Sequence, residues 1–189
     1  MPRKPSAGEG FANGLIIDSK PLMERMEWDM YEKVDQSPLN RQTSLKTALS
    51  RNPAVWLDAT CALYQIAGTL KQERVDSLVL YLTDPRHLAG IVHSLSDLHR
   101  HALATVIEAQ GWTRYGKISQ LAGDEGPDSY FWETSPPTSV IGQLRMRGLL
   151  FVGHTTVAGR KTKVAVIPKD LRAPLSLVLL PAPQPPDGT

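Results

Sequence analysis

The feature that most constrains this fold is a pair of apolar, β-branched runs near the end of a chain that otherwise shows helical periodicity. The runs are LLFVGHTTV and TKVAVIP, and the short tip Ala-Gly-Arg-Lys lies between them at residues 158–161. Two such runs joined by a short connection containing Gly predict a β-hairpin, which Pro168 closes. The hairpin would carry three cations at or just behind its tip: Arg160, Lys161 and Lys163.

Apolar residues at helical spacing cover most of the chain before the hairpin. The first stretch has Leu22, Met26, Met30 and Val34 at fourfold spacing, with charged residues on the other side. A capping-box pattern at Ser94 and Asp97 marks the start of another helix. The pattern predicts helices over residues 18–34, 44–52, 52–68, 69–84, 85–95, 98–111, 115–123 and 136–148.

The last three helices and the hairpin follow one order: helix, helix, helix, strand, basic tip, strand. That order is typical of a winged helix–turn–helix. We therefore expect a mainly α protein with a small β-wing, in which a helical region over residues 15–93 precedes a winged helix–turn–helix domain over residues 94–175. Residues 1–14 are rich in Gly, Pro, Ser and Lys and predict a disordered tail, and residues 176–189 predict a Pro-rich tail.

Positive charge is concentrated at the C-terminal end of the chain. The net charge is only +2, but residues 136–189 hold seven Lys or Arg against two acids. The preceding 135 residues hold fourteen bases against seventeen acids. A local excess of this kind indicates an anion-binding surface, although an ordinary solvated face is the plainer interpretation.

The predicted helix over residues 136–148 has an outward face that could enter a DNA major groove. We expect Gly142 to allow close approach of a nucleic-acid backbone, and the wing cations to contact flanking phosphates. Arg147 could equally serve only to complement the helix dipole. The predicted DNA-binding residues are Thr138, Ser139, Gln143, Arg145, Arg147, Arg160, Lys161 and Lys163.

Three segments resemble the bacterial helicase-associated winged-helix proteins, which are similar to the accessory region beside XPB-type helicases. The segments are ALYQIAGTLKQERVDSLVLYL, PRHLAGIVHSLSDLHRHAL and VAVIPKDLR, and the resemblance spans residues 44–174. It implies a SAP-like helical segment over about residues 53–84, a winged helix, and DNA binding in support of DNA metabolism or transcription regulation. The chain has no G-x-x-x-x-G-K-[ST] motif, so a helicase motor is not expected in it.

The sequence offers no motif for catalysis, metal binding or cofactor binding, and we expect a non-enzymatic protein with none of these. His93, Asp97 and His101 have fourfold spacing, but the predicted helix start after His93 takes them off one face. Cys61 lies among apolar neighbours and is expected to be a buried small side chain. No apolar run is long enough to span a bilayer and no signal peptide is recognisable, so a cytoplasmic protein is expected.

Alternative functions remain open at this point. The winged helix and the Met-rich first helix could form a protein–protein adaptor or a homodimer, in which Met23, Met26 and Met30 would matter. A helicase or another protein partner, and a regulator with a small-molecule effector, are further alternatives. Trp132 could pack over the core or, alternatively, stack on an unpaired base, as in proteins that bind single-stranded DNA. For the protein as a whole, duplex DNA is favoured over single-stranded DNA as the partner.

Overall fold

The computed structural model describes residues 20–126 and 128–180 and, within the first helix, side chains from residue 25 onward. The expected tail over residues 1–14, residues 181–189 of the Pro-rich tail and the side chain of Met23 lie outside these residues. In the described part the order is α1 (Lys20–Asp35), α2 (Leu45–Arg51), α3 (Ala54–Leu63), α4 (Lys71–Thr83), α5 (Pro85–Ser94), α6 (Asp97–Glu108), β1 (Trp112–Arg114), α7 (Tyr115–Ala122), α8 (Val140–Met146), β2 (Phe151–Val157), β3 (Arg160–Val166) and α9 (Lys169–Leu179).

The expected class, mainly helical with a small β part, is confirmed. Most helices begin and end close to the predicted limits because the local signals act as expected, but α3 ends at Leu63 instead of near residue 68, and α8 begins at Val140 instead of near residue 136. Ser44 caps α2 by accepting from Thr47 N, and Asp84 caps α5 by accepting from Arg86 N and His87 N. The N-cap of α6 is Ser96 rather than Ser94, whose hydroxyl donates to the carbonyl of Ile91 instead.

The three strands form one antiparallel sheet in the order β1-β3-β2. Trp112 pairs with Val166 at one end, and Val157 pairs with Arg160 at the hairpin end. The strand β1 was not predicted, because three residues are too few to show a period of two. The free edge of β2 is covered by the segment before α2, in which Leu39 N donates to His154 O at 2.8 Å.

A further helix, α9, follows the sheet where the sequence suggested only the end of a domain and a tail. It runs through Pro174 and buries Leu171 and Leu175 completely against α4, α5 and α6. One hydrophobic core therefore includes side chains from α2 to α9 and from the sheet. The expected boundary at residues 93 and 94 lies inside this core and does not separate two cores.

A second, smaller cluster is aromatic. Trp56 and Trp132 stack with ring centroids 3.9 Å apart, and Tyr31 meets Trp56 edge-on at 5.1 Å. Trp132 is 1% exposed. The core-packing interpretation of Trp132 is therefore correct, and stacking of this ring on a base is excluded. Cys61 is buried, as expected.

Candidate nucleic-acid interface

Two of the predicted contact residues, Thr138 and Ser139, are engaged at the start of α8. Ser139 is the N-cap and its hydroxyl accepts from Gly142 N at 2.9 Å. The carboxylate of Asp128 accepts from Thr138 N at 2.8 Å and from Ser139 N at 3.1 Å. These groups hold the preceding loop onto the helix, as N-cap side chains and first-turn anions do.

The absence of a side chain at Gly142 makes room for the loop that precedes α8 and not for a nucleic-acid backbone. The residue is buried, and a Cβ built on it would lie 2.1 Å from Asp128 Oδ2 and 2.7 Å from the Pro137 side chain. The expectation that Gly142 makes room for nucleic acid is wrong, because its missing side chain makes room for Asp128.

The solvent-facing side expected for α8 is not found. Every residue from Val140 to Arg147 is buried or half-buried. Helix α3 covers the C-terminal end, where Thr60 Oγ1 donates to Met146 O and Tyr64 Oη donates to Arg147 O, both at 2.9 Å. A helix in this position cannot enter a major groove unless these hydrogen bonds break.

The prediction that Arg145 contacts DNA is also wrong. Its side chain is 4% exposed, and its guanidinium lies 2.9 Å from Asp35 Oδ1 and 2.8 Å from Glu125 Oε2. The same group lies 4.7 Å from the centre of the Trp56 ring. Burial lowers the pKa of Arg145, but the attraction of Glu125 and Asp35 outweighs it and raises that pKa above its ordinary value.

Gln143 and Arg147 are half-buried and bonded within the protein. Gln143 Oε1 lies 3.0 Å from His99 Nε2, and Gln143 Nε2 donates to Thr138 O at 3.1 Å. Arg147 Nη1 donates to Gln143 O at 3.1 Å, so its cation satisfies a carbonyl in the last turn of α8. This contact agrees with the interpretation of Arg147 as a cation that complements the C-terminal end of the helix. Burial and the Arg147 charge together lower the pKa of His99.

The hairpin separates the three predicted wing cations. The turn consists of Ala158 and Gly159, with φ angles of 48° and 76°, so Arg160 and Lys161 belong to β3 and are exposed. Lys161 donates to the side chain of Gln36. Lys163 turns inward, with its Nζ 2.5 Å from Asp35 Oδ2 and 4.0 Å from the centre of the Tyr115 ring.

The sheet presents a different cationic surface, which we call the sheet groove. Directly paired residues of neighbouring strands, and every second residue along one strand, point to the same side of a sheet. Trp112 and Arg114 pair with Val166 and Val164 of β3, and Arg160 lies an even number of positions along the same strand, so Trp112, Arg114 and Arg160 share one face. A groove of about 350 Å³ lies on this face, lined by Asn40, Arg41, Trp112, Thr155, Thr156, Val157, Ala158, Val164 and Val166.

Cations without carboxylate partners lie in and beside the sheet groove: Arg41 lines it, and Arg114 and Arg160 lie on the same face of the sheet outside its lining. Arg41, Arg114 and Arg160 are exposed, and none of them forms an ion pair with any residue in the described part of the chain. Arg172 donates to the carbonyl of Arg41, and burial together with the Arg41 charge lowers the pKa of Arg172. Like charges held together at a surface favour an anionic ligand.

Sequence reasoning missed Arg41, Trp112 and Arg114 as members of this surface. Trp112 and Arg114 alternate as residues of one strand face should, but WTR is too short to be recognised as a strand. Arg41 comes from the connection before α2, which lies beside the hairpin only in the folded chain.

Among the described residues, no group of three or more His, Cys, Asp or Glu side chains is arranged to hold a metal ion, and none of the described helices is both long and apolar enough to cross a membrane. Comparisons with protein-family models, curated proteins and solved structures found no match to this chain.

Proposed function

We propose that this chain is a non-enzymatic winged-helix protein that binds duplex DNA through the sheet groove and the adjoining hairpin. The contacts would be with phosphates, made by Arg41, Arg114, Arg160 and Lys161. The observation that carries the proposal is the group of exposed arginines on one sheet face, which lack carboxylate partners among the described residues.

The order of elements supports the winged-helix assignment. Helix α6 is followed by a short strand, two further helices and a hairpin, and the last strand lies between the other two. In such a fold the wing is placed to reach the DNA backbone. The resemblance to helicase-associated proteins agrees with this and suggests an accessory role in DNA metabolism or transcription regulation.

Binding of this kind should depend little on base sequence. Phosphate contacts position a protein on DNA but carry no sequence information, which is read from base edges. Helix α8 is the element that would read those edges, and its residues are buried or half-buried. We therefore expect a backbone binder of moderate affinity.

The proposal is tested by fluorescence anisotropy with labelled duplex and single-stranded DNA across a salt series. Replacing Arg41, Arg114 and Arg160 together by Ala should weaken duplex binding by at least about tenfold at low salt. It should also reduce the slope of log K against log salt by about 0.9 for each phosphate that the variant no longer neutralises.

The matched control replaces Arg25, Lys33 and Arg86 by Ala, because it removes the same charge from exposed positions outside the groove. This control should keep most of the affinity. Equal losses of affinity in both variants would mean that only net charge matters, and no binding by the unaltered protein at low salt would overturn the proposal.

A second candidate function, a homodimer or adaptor, rests on α1. Met26 is 56% exposed, whereas Val34 on the same side of the helix packs against the aromatic cluster. The Met26 side chain is therefore open to a partner. Light scattering distinguishes the candidates: a dimer that Met26→Lys converts to a monomer would favour this function.

A further inference from the structure

A second cavity, distinct from the sheet groove, lies between α1, α7, the hairpin and residues 124–126. We call it the acidic cavity; its volume is about 260 Å³. The rings of Trp28, Tyr31 and Tyr115 form part of its wall. A concave site with aromatic walls and a few polar groups is typical of a small-molecule site, and this volume suits a small ligand.

Four carboxylates line the acidic cavity: Glu32, Asp35, Asp124 and Glu125. Lys163 is the cation inside it, and Arg145 lies behind its wall, paired with Asp35 and Glu125. Among the described residues, two negative charges are therefore left without a compensating cation. The partly enclosed position strengthens the field of these charges relative to bulk water.

Lys163 shows how the cavity holds an ammonium group. Its Nζ is 2.5 Å from Asp35 Oδ2 and 4.0 Å from the centre of the Tyr115 ring. A carboxylate and an aromatic face together are the usual partners of an alkylammonium ion. The lysine side chain enters from β3, so the cavity already accepts an aliphatic amine.

One acceptor on the wall is unused. Glu125 is 4% exposed; its Oε2 accepts from Tyr31 Oη and Arg145 Nη1, but its Oε1 has no hydrogen-bond partner among the described residues. Burial raises the pKa of Tyr31 and of Tyr115, so both hydroxyls stay protonated and uncharged, and they donate to Glu125 Oε2 and Asp124 Oδ1. Buried carboxylate oxygens are normally paired, and an orphaned one at a cavity calls for a donor.

From these observations we propose that the acidic cavity binds a small aliphatic diamine. One ammonium would lie against the carboxylates of Glu32 and Asp124 near the cavity mouth, beside Trp28. The other would lie deeper, toward Glu125, a residue that lines the cavity and has one unpaired carboxylate oxygen. The two positive charges of the diamine would balance the two carboxylate charges in the cavity that have no compensating cation among the described residues. This site is independent of the sheet groove and involves none of its arginines.

The test is calorimetric titration of the full chain with 1,4-diaminobutane, with 1,4-butanediol as the neutral compound of the same length. Diamine binding is expected and diol binding is not. Trp28→Ala should weaken diamine binding by roughly three- to tenfold, since it removes a cation–π face. Glu32→Gln should weaken it by about threefold, the size of an exposed ion pair. Both residues are exposed, so neither change should unfold the protein.

Lys163→Met is expected to increase the affinity for the diamine, whereas Trp28→Ala and Glu32→Gln decrease it. Removing the resident cation adds one negative charge to the cavity, so diamine affinity should rise by at least about fivefold. Glu133→Gln, an exposed carboxylate outside the cavity, is the matched control and should leave the affinity unchanged.

Three results would overturn the proposal: no diamine binding by either the unaltered protein or the Lys163→Met variant, equal binding of the diol, or equal losses of affinity in Glu133→Gln and Glu32→Gln.

Discussion

At the scale of single residues, the buried guanidinium of Arg145 organises the contact between α1, α8 and the loop after α7. It joins Asp35 to Glu125 and lies 4.7 Å from the centre of the Trp56 ring and 5.1 Å from that of the Tyr31 ring. It pairs with two buried carboxylates, each of which has one further partner: Lys163 for Asp35 and the Tyr31 hydroxyl for Glu125. Because Arg145 is held in these buried contacts, its charge is not available at the protein surface near the C-terminal end of α8.

Arg145→Met should therefore destabilise the fold strongly. The change leaves Asp35 and Glu125 buried with one partner fewer each, and breaking a buried pair in this way costs about 3–5 kcal/mol. Urea denaturation should show this decrease in the free energy of unfolding. Arg147→Met, at a half-buried position with no carboxylate partner among the described residues, should cost under about 1.5 kcal/mol. Similar decreases in both variants would contradict the role assigned to Arg145.

A second residue-scale prediction concerns Gly142. A methyl group there would overlap the Asp128 carboxylate, so Gly142→Ala should break the cap of α8 and cost about 1–3 kcal/mol. Gly116→Ala is the control, because no atom lies within 4 Å of a Cβ built on Gly116. If Asp128 is the cause, Gly142→Ala should cost much less in a chain that also carries Asp128→Ala, and thermal unfolding of the unaltered protein, the two single variants and the double variant measures this coupling.

At the scale of elements, apolar periodicity and caps were enough to predict most of the helices and the hairpin. They did not predict the burial of α8, because it depends on α3, which is distant in sequence, and on how the loop directly before α8 folds back onto the helix. They failed for β1 because three residues show no period, and for α9 because Pro174 and the Pro-rich end masked a helical face. The groove arginines come from different elements, so the register of the sheet had to be known before they could be grouped.

The hairpin turn allows a prediction of increased stability. Ala158 has a φ of 48°, a left-handed conformation that is unfavourable for a residue with a Cβ and that Asn tolerates better. Ala158→Asn should raise the free energy of unfolding by about 0.5–1 kcal/mol. Gly159→Ala, at a φ of 76°, should lower it. Denaturant titration of both variants checks the sign, and a lower stability of Ala158→Asn would contradict the turn geometry.

At the scale of the whole molecule, the continuous core predicts one cooperative unfolding transition. Leu171 and Leu175 of α9 are fully buried in contact with helices on both sides of the expected boundary at residues 93 and 94. Two independent domains would give separate transitions, whereas a shared core gives coincident ones. Tryptophan fluorescence, to which the buried Trp56 and Trp132 contribute, and far-ultraviolet circular dichroism should therefore report the same midpoint.

The substitution Leu171→Ala tests whether the described part of the chain unfolds as one cooperative unit. Removing a fully buried leucine costs about 2–5 kcal/mol, and in a shared core the cost falls on the whole unfolding equilibrium. Both probes should shift to lower denaturant by the same amount, although Trp56 lies in the other cluster. Leu177→Ala, at an 85% exposed position of the same helix, should shift neither. A shift in circular dichroism without one in fluorescence would instead show that the two parts of the chain unfold independently.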